Sequence, residues 1–191
     1  MYKRIIYIVL YFRVKHWLSL GAPADKLVVG IPTYGRSWTL SSLAMTGLGS
    51  PASSAGLPGP YTGASGFLGY NEICLNVKNN GWTVVQDSMN YMGPYAVNGY
   101  QWVGYDDPAM ARVKAEYIVN NELGGAMFWD LSTDDFDNLC GDGKYPIINA
   151  VNRVLADSSC TGNSNIYMTQ LFRLKKYHAT TNRILLFNFS S

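Results

Sequence analysis

Apolar and polar positions divide the chain into blocks of different period. Val14 to Leu20, with Trp17, Leu18 and Leu20 apolar and Gly21 behind them, reads as the end of a helix capped by glycine. Beyond Ala22-Pro23-Ala24-Asp25, the run Leu27-Val28-Val29-Gly30-Ile31 has no alternation and is bounded by Lys26 and Pro32. Such a run predicts a strand covered on both faces, as in a parallel α/β sheet. Thr33-Tyr34-Gly35-Arg36-Ser37 falls at its C-terminal end. Residues 39 to about 65 are rich in Gly, Ser, Pro and Ala and nearly uncharged. From Phe67 to Trp102 the pattern predicts short strands and turns, at Tyr70-Asn71-Glu72-Ile73-Cys74, Trp82-Thr83-Val84-Val85 and Gly99-Tyr100-Gln101-Trp102, a small α+β insertion. Alternation of helix and strand then resumes. Asp107-Pro108 is a helix start, with a carboxylate to cap and a proline at the first position. Met110, Val113, Tyr117 and Ile118 form an apolar stripe behind it. Gly124-Gly125 ends that helix, and Ala126-Met127-Phe128-Trp129 predicts a second buried strand, followed by Asp130, Asp134 and Asp135. Pro146 opens a last helix with Ile147, Ile148, Val151 and Leu155 on one face. The order suits an α/β barrel or a doubly wound sheet, and two strands complete neither.

Composition narrows the function classes. Of 191 residues, 48% are apolar and 15% charged, which reads as globular. A net charge of +2 with scattered basic residues gives no case for nucleic acid. No stretch reaches the ~20 apolar residues of a membrane span. The run Ile5 to Phe12 after Lys3-Arg4 imitates a signal peptide, but it is short, has no small-residue cleavage site and runs into Arg13 and Lys15. Cys74, Cys140 and Cys160 are far apart and His16 and His178 stand in unrelated contexts, so no zinc spacing is present and no cofactor or metal is expected. Aromatic residues reach 14%, which fits either a tyrosine-rich core or aromatic faces for stacking on pyranose rings. The tail from 158 to 191 reads as disordered, and Asn188-Phe189-Ser190 in it is a glycosylation sequon, meaningful only if the chain is secreted.

Three segments together resemble glycoside hydrolase family 18, the chitinases and chitinase-like lectins. Lys26-Leu27-Val28-Val29-Gly30-Ile31-Pro32-Thr33-Tyr34-Gly35-Arg36-Ser37 looks like that family's seventh barrel strand. Gly69-Tyr70-Asn71-Glu72-Ile73-Cys74 and Gln101-Trp102-Val103-Gly104-Tyr105-Asp106-Asp107 look like the middle and exit of its insertion domain. Gly124-Gly125-Ala126-Met127-Phe128-Trp129 and Asp134-Asp135-Phe136 look like the eighth strand and its loop. The resemblance covers roughly residues 14 to 157. It implies an incomplete (β/α)8 TIM barrel with an α+β insertion domain: 1–37 and 104–157 as barrel remnants, 38–103 as insertion, 158–191 as tail. It also implies an extracellular protein whose partners are chitin or N-acetylglucosamine oligosaccharides. Functional residues of such barrels sit at C-terminal strand ends. By resemblance Trp129 is the floor on which a sugar stacks, Tyr34 and Arg36 hydrogen-bond it from the wall, and Met127 lines the base. An indole face and a guanidinium fork suit those tasks. Cys74 and Cys140 match the family's disulfide, closing a loop worth about 4 kcal/mol. A free buried thiol at Cys74 is the alternative, and Cys160 is left over.

The chain also departs from the family. No segment reads Asp-x-x-Asp-x-Asp-x-Glu, the fourth-strand motif that carries the family's proton donor, and residues 1–13 bear no likeness to its Met-x-Tyr-Asp strand. The family's mechanism needs that glutamic acid to protonate the leaving oxygen while the sugar's acetamido group attacks. No residue of this chain is therefore expected to be catalytic, and Asp130, Asp134 and Asp135 read as a loop. Where the family usually has an acidic residue before its Gly-Tyr-Asn-Glu-Ile-Cys run, this chain has Gly63-Ala64-Ser65. Two functions follow: a fragment of a chitinase, inactive alone, or a chitin-binding lectin that does not cut. A third is an independent binding module at 38–103. Two strands with open edges also predict marginal stability.

Overall fold

A computed structural model describes residues 5–89, 91–160 and 184–186. Helix α1 (Ile5–Ser19) contains the apolar run near the N-terminus. Leu10 and Val14 are buried, whereas Leu20 is 65% exposed. Gly21, at φ +86°, closes the helix in the left-handed conformation, with the Ala22 amide returning to the Trp17 carbonyl. Strand β1 (Leu27–Pro32) follows, buried at every position, as the lack of alternation predicted.

Helix α3 (Pro108–Asn120) and strand β8 (Gly125–Trp129) come later in the chain, with β8 parallel to β1 in a register that sets Pro32 opposite Trp129. Asp107 caps α3 by accepting from the Met110 amide at 2.8 Å. Helix α4 (Pro146–Cys160) packs on α3, and Ile147, Val151 and Leu155 enter the same core as Leu27, Val29, Ile31 and Ile118. The free edge of β1 is taken by β9 (Ile184–Leu186), parallel and in register with Leu27–Val29. The expectation of a tail without structure fails for these three residues. A buried strand with an unpaired edge leaves peptide groups unsatisfied, and β9 supplies their partners. The sequon and most of the tail lie outside the described residues.

Between β1 and α3 stands an antiparallel sheet. It comprises β2 (Tyr34–Leu40), β3 (Ala52–Ala55), β4 (Phe67–Gly69), β5 (Thr83–Val85), β6 (Tyr95–Asn98) and β7 (Gln101–Tyr105). The strand order is β3-β2-β7-β6-β5, with β4 also on β2. Since β2 starts at Tyr34, the sheet crosses the 37/38 division expected from the sequence. One further correction concerns Tyr70-Asn71-Glu72-Ile73-Cys74: it is the start of helix α2 (Tyr70–Asn79), not a strand. Local β-propensity is overridden there by Glu72, whose carboxylate accepts the Gly69 amide at 2.7 Å and so satisfies one orphan donor of the helix start.

Three devices tie the antiparallel sheet and α2 to the parallel unit. Cys74 on α2 and Cys140 form a disulfide, as the resemblance implied. Lys114 on α3 pairs with Asp106 at the end of β7, both almost fully buried. The Tyr70 amide donates to the Thr33 carbonyl and the Asn71 amide to the Thr133 carbonyl, at 2.9 and 3.2 Å.

Candidate functional site

The mouth of the molecule is built where β1 ends, β2 begins and β8 stops. The Thr33 amide donates to the Trp129 carbonyl at 3.1 Å, and the Thr33 hydroxyl lies 2.7 Å from that of Thr133. Thr33 and Thr133 are buried, so this junction of strand ends is closed to solvent beneath the surface residues. Trp129 stands on it with 58% of its surface exposed. An indole presented this way contributes little to the core and offers its face to a ligand. Met127, two residues back on the same face of β8, is half-buried.

Tyr34, Arg36 and Trp38 alternate onto one face of β2. The pairing of Arg36 with Phe67 and Gly104, and of Trp38 with Trp102, brings Phe67 and Trp102 to that face. The Tyr34 and Phe67 rings lie 4.6 Å apart, and the Arg36 guanidinium sits 5.3 Å from the centre of each. Tyr95 stacks on Trp102 at 5.3 Å. A small cavity of about 40 Å³ beside Arg36 is lined by Tyr95, Trp102 and Asp106 among others. Phe67 and Trp102 were missed as candidates from the sequence. The alternation Tyr34, Arg36, Trp38 was legible in it, but which residues of other strands share the face depends on register, which no local pattern supplies.

The acidic trio beyond β8 is committed to the backbone. Asp134 is fully buried and accepts the amides of Asp135, Ile147 and Ile148, which caps α4. Burial pushes its carboxyl above the ordinary value, against the pull of those amides. Asp135 accepts from the Leu139 and Cys140 amides at 2.8 and 2.9 Å. Asp130 accepts from the Ser132 amide and hydroxyl and from the Thr133 amide. Asp135 also lies close to the sulfurs of Cys74 and Cys140. Those sulfurs are bonded to each other, so neither is a thiolate that could hold a metal.

This architecture belongs to a known class. Residues 7–134 match the glycosyl hydrolases family 18, and the chain is a member of that family. It is 48% identical over 145 residues to human chitinase-3-like protein 2, covering 75% of this chain and 36% of that protein. With probable chitinase 10 of Drosophila melanogaster the identity is 46% over 146 residues, 76% of this chain and 6% of that one. Catalytic domain 2 of the Ostrinia furnacalis Group II chitinase superposes with a TM-score of 0.76 at 47% identity, over 77% of this chain and 39% of that one. Human YKL-39, described as a pseudo-chitinase with retained chitooligosaccharide binding properties, superposes with a TM-score of 0.72 at 46% identity, over 76% and 39% of the two chains. The chain thus spans well under half the length of these relatives.

Proposed function

We propose that this chain carries the wall and part of the floor of a cleft that binds N-acetylglucosamine oligomers, in a protein that works outside the cell. In this reading β1 and β8 are the seventh and eighth strands of a (β/α)8 barrel, and the antiparallel sheet β2 to β7 with α2 forms its insertion domain. Trp129 is the stacking platform, Tyr34 and Arg36 give hydrogen bonds from the wall, and Met127 lines the base. The observation that carries the reading is the exposed Trp129 indole, held on a buried junction beside the start of β2, which carries the buried Tyr34 and the half-buried Arg36. Relatives crystallised with chitooligosaccharides support the choice of ligand.

In this reading the described residues hold the sugar and none of them cuts it. The carboxylates nearest the mouth accept backbone amides, and Asp134 and Asp135 are buried, so none is placed to give a proton to a leaving oxygen. The full-length protein is then either a hydrolase, its acid supplied by a fourth-strand glutamate outside this chain, or a lectin in which that glutamate is replaced. Reading the coding sequence upstream of Met1 decides between them.

Retention on chitin beads tests the binding reading. Losing an indole platform costs about 1.5–3 kcal/mol of apolar contact, so Trp129→Ala should weaken retention by roughly tenfold to a hundredfold. Arg36→Lys should weaken it less, since a point charge replaces a planar fork. Equal retention of wild type and Trp129→Ala removes Trp129 from the site.

A further inference from the structure

A second concavity separates the insertion sheet from α3 and α4. It is a cleft of about 550 Å³, and none of Tyr34, Arg36, Met127 or Trp129 lines it. That volume falls within the usual range of small-molecule sites. Its inner side carries Tyr70 and Tyr105, whose ring centres are 6.3 Å apart and which are each 6% exposed. Burial, aided by nearby carboxylates such as Asp107, keeps both phenols protonated well beyond neutral pH, so each remains a donor. The rim carries Asp107 and Asp142 with Lys144 and Arg153, two charges of each sign. Arg153 is exposed and makes no ion pair among the described residues.

That balance selects against ions. An anion in the cleft faces two carboxylates on its rim, and a cation faces the Arg153 guanidinium and a Lys144 ammonium already paired with Asp137. Hydroxyl groups both donate and accept, so a neutral chain of them satisfies acids, bases and phenols together. Two tyrosine rings add apolar contact beneath. We propose that this cleft is a second binding site for a neutral oligosaccharide, separate from the Trp129 mouth. The choice of N-acetylglucosamine tetramer as probe rests on the function proposed above; the site itself rests on the cleft.

The test is titration of the full chain with N-acetylglucosamine tetramer, followed by calorimetry and by amide NMR shifts at 142–153. The variants are Trp129→Ala, Tyr105→Phe/Arg153→Ala, and all three changes together. Tyr105→Phe keeps the ring and removes a single hydroxyl, and Arg153 is exposed, so the double variant should melt close to the wild type. The expected result is that Trp129→Ala keeps binding which shifts amides at 142–153, and that adding the double change weakens this binding by about threefold to tenfold for each hydrogen bond lost. Should Trp129→Ala abolish all binding and leave those amides still, the second site is overturned while the mouth stands. Should binding survive Trp129→Ala at full strength and fall in the double variant, the cleft stands and the mouth is refuted. Binding indifferent to Tyr105→Phe/Arg153→Ala overturns the proposal.

Discussion

Removing the carboxylate of Glu72 should loosen the start of α2 and the end of β4, beside the Trp129 mouth. Glu72 is 2% exposed and forms no ion pair among the described residues. Its charge is held by dipoles alone: the Tyr61 and Thr62 amides at 2.7 and 2.9 Å, the Thr62 hydroxyl at 2.9 Å and the Gly69 amide at 2.7 Å. Gly59 packs so closely that a Cβ there would collide with the Glu72 carboxylate. Glu72→Ala orphans three backbone amides at about 1–3 kcal/mol each. Water entering the vacated space recovers part of that, so a net loss of about 3–5 kcal/mol is expected, a large share of an ordinary domain's stability. Glu72→Gln keeps the shape but turns one acceptor into a donor. The Thr62 hydroxyl can reverse to accept from it, whereas an amide cannot, so the cost falls to about 2 kcal/mol. Urea denaturation gives the order wild type, Gln, Ala. Hydrogen exchange should show lost protection at Tyr61, Thr62 and Gly69. Gly69 pairs with Tyr34 across β4 and β2, so retention on chitin beads should fall in the same order. A Glu72→Ala midpoint within about 0.5 kcal/mol of wild type, or unchanged exchange at those amides, would refute the account.

Three further outcomes are expected. Replacing both Cys74 and Cys140 by alanine opens a link across 66 residues and should cost about 4 kcal/mol, read as a lower melting temperature that reducing agent no longer shifts. Lys114→Met leaves the Asp106 carboxylate buried without its partner and should cost about 3–5 kcal/mol, while Asp106→Leu/Lys114→Met should cost less, because no lone charge remains; urea midpoints of the single and double variants check this. Asp134 has its carboxyl raised by burial above the ordinary 3.8, so the native state holds its proton where the unfolded chain has released it. Its contribution to stability is therefore full below pH 3.8 and is lost as pH rises through the raised value. The stability gap between wild type and Asp134→Asn, followed by denaturant midpoints across acid pH, should shrink in that direction; a gap that widens would overturn the assignment.

Much was written locally. The unbroken run Leu27 to Ile31 fixed a strand buried on both faces, because only a covered strand tolerates apolar residues at every position. Asp107-Pro108 and Pro146 fixed two helix starts, because caps and proline act within one turn. The alternation of Tyr34, Arg36 and Trp38 placed them on one face. What the local pattern could not carry was whatever depended on distant partners. Tyr70 to Cys74 reads as strand by composition and is helix because Glu72 finds amides ten and eleven residues upstream and one at Gly69. Phe67 and Trp102 join Arg36 only through the register of three strands. The three aspartates after β8 look alike as letters, and they differ in what they cap because a carboxylate takes its role from whichever amides the fold brings within 3 Å or so of it. Sequence determined the elements, since their signals lie within a few residues; the tertiary structure alone decided which faces meet, because register and burial are properties of pairs far apart in the chain.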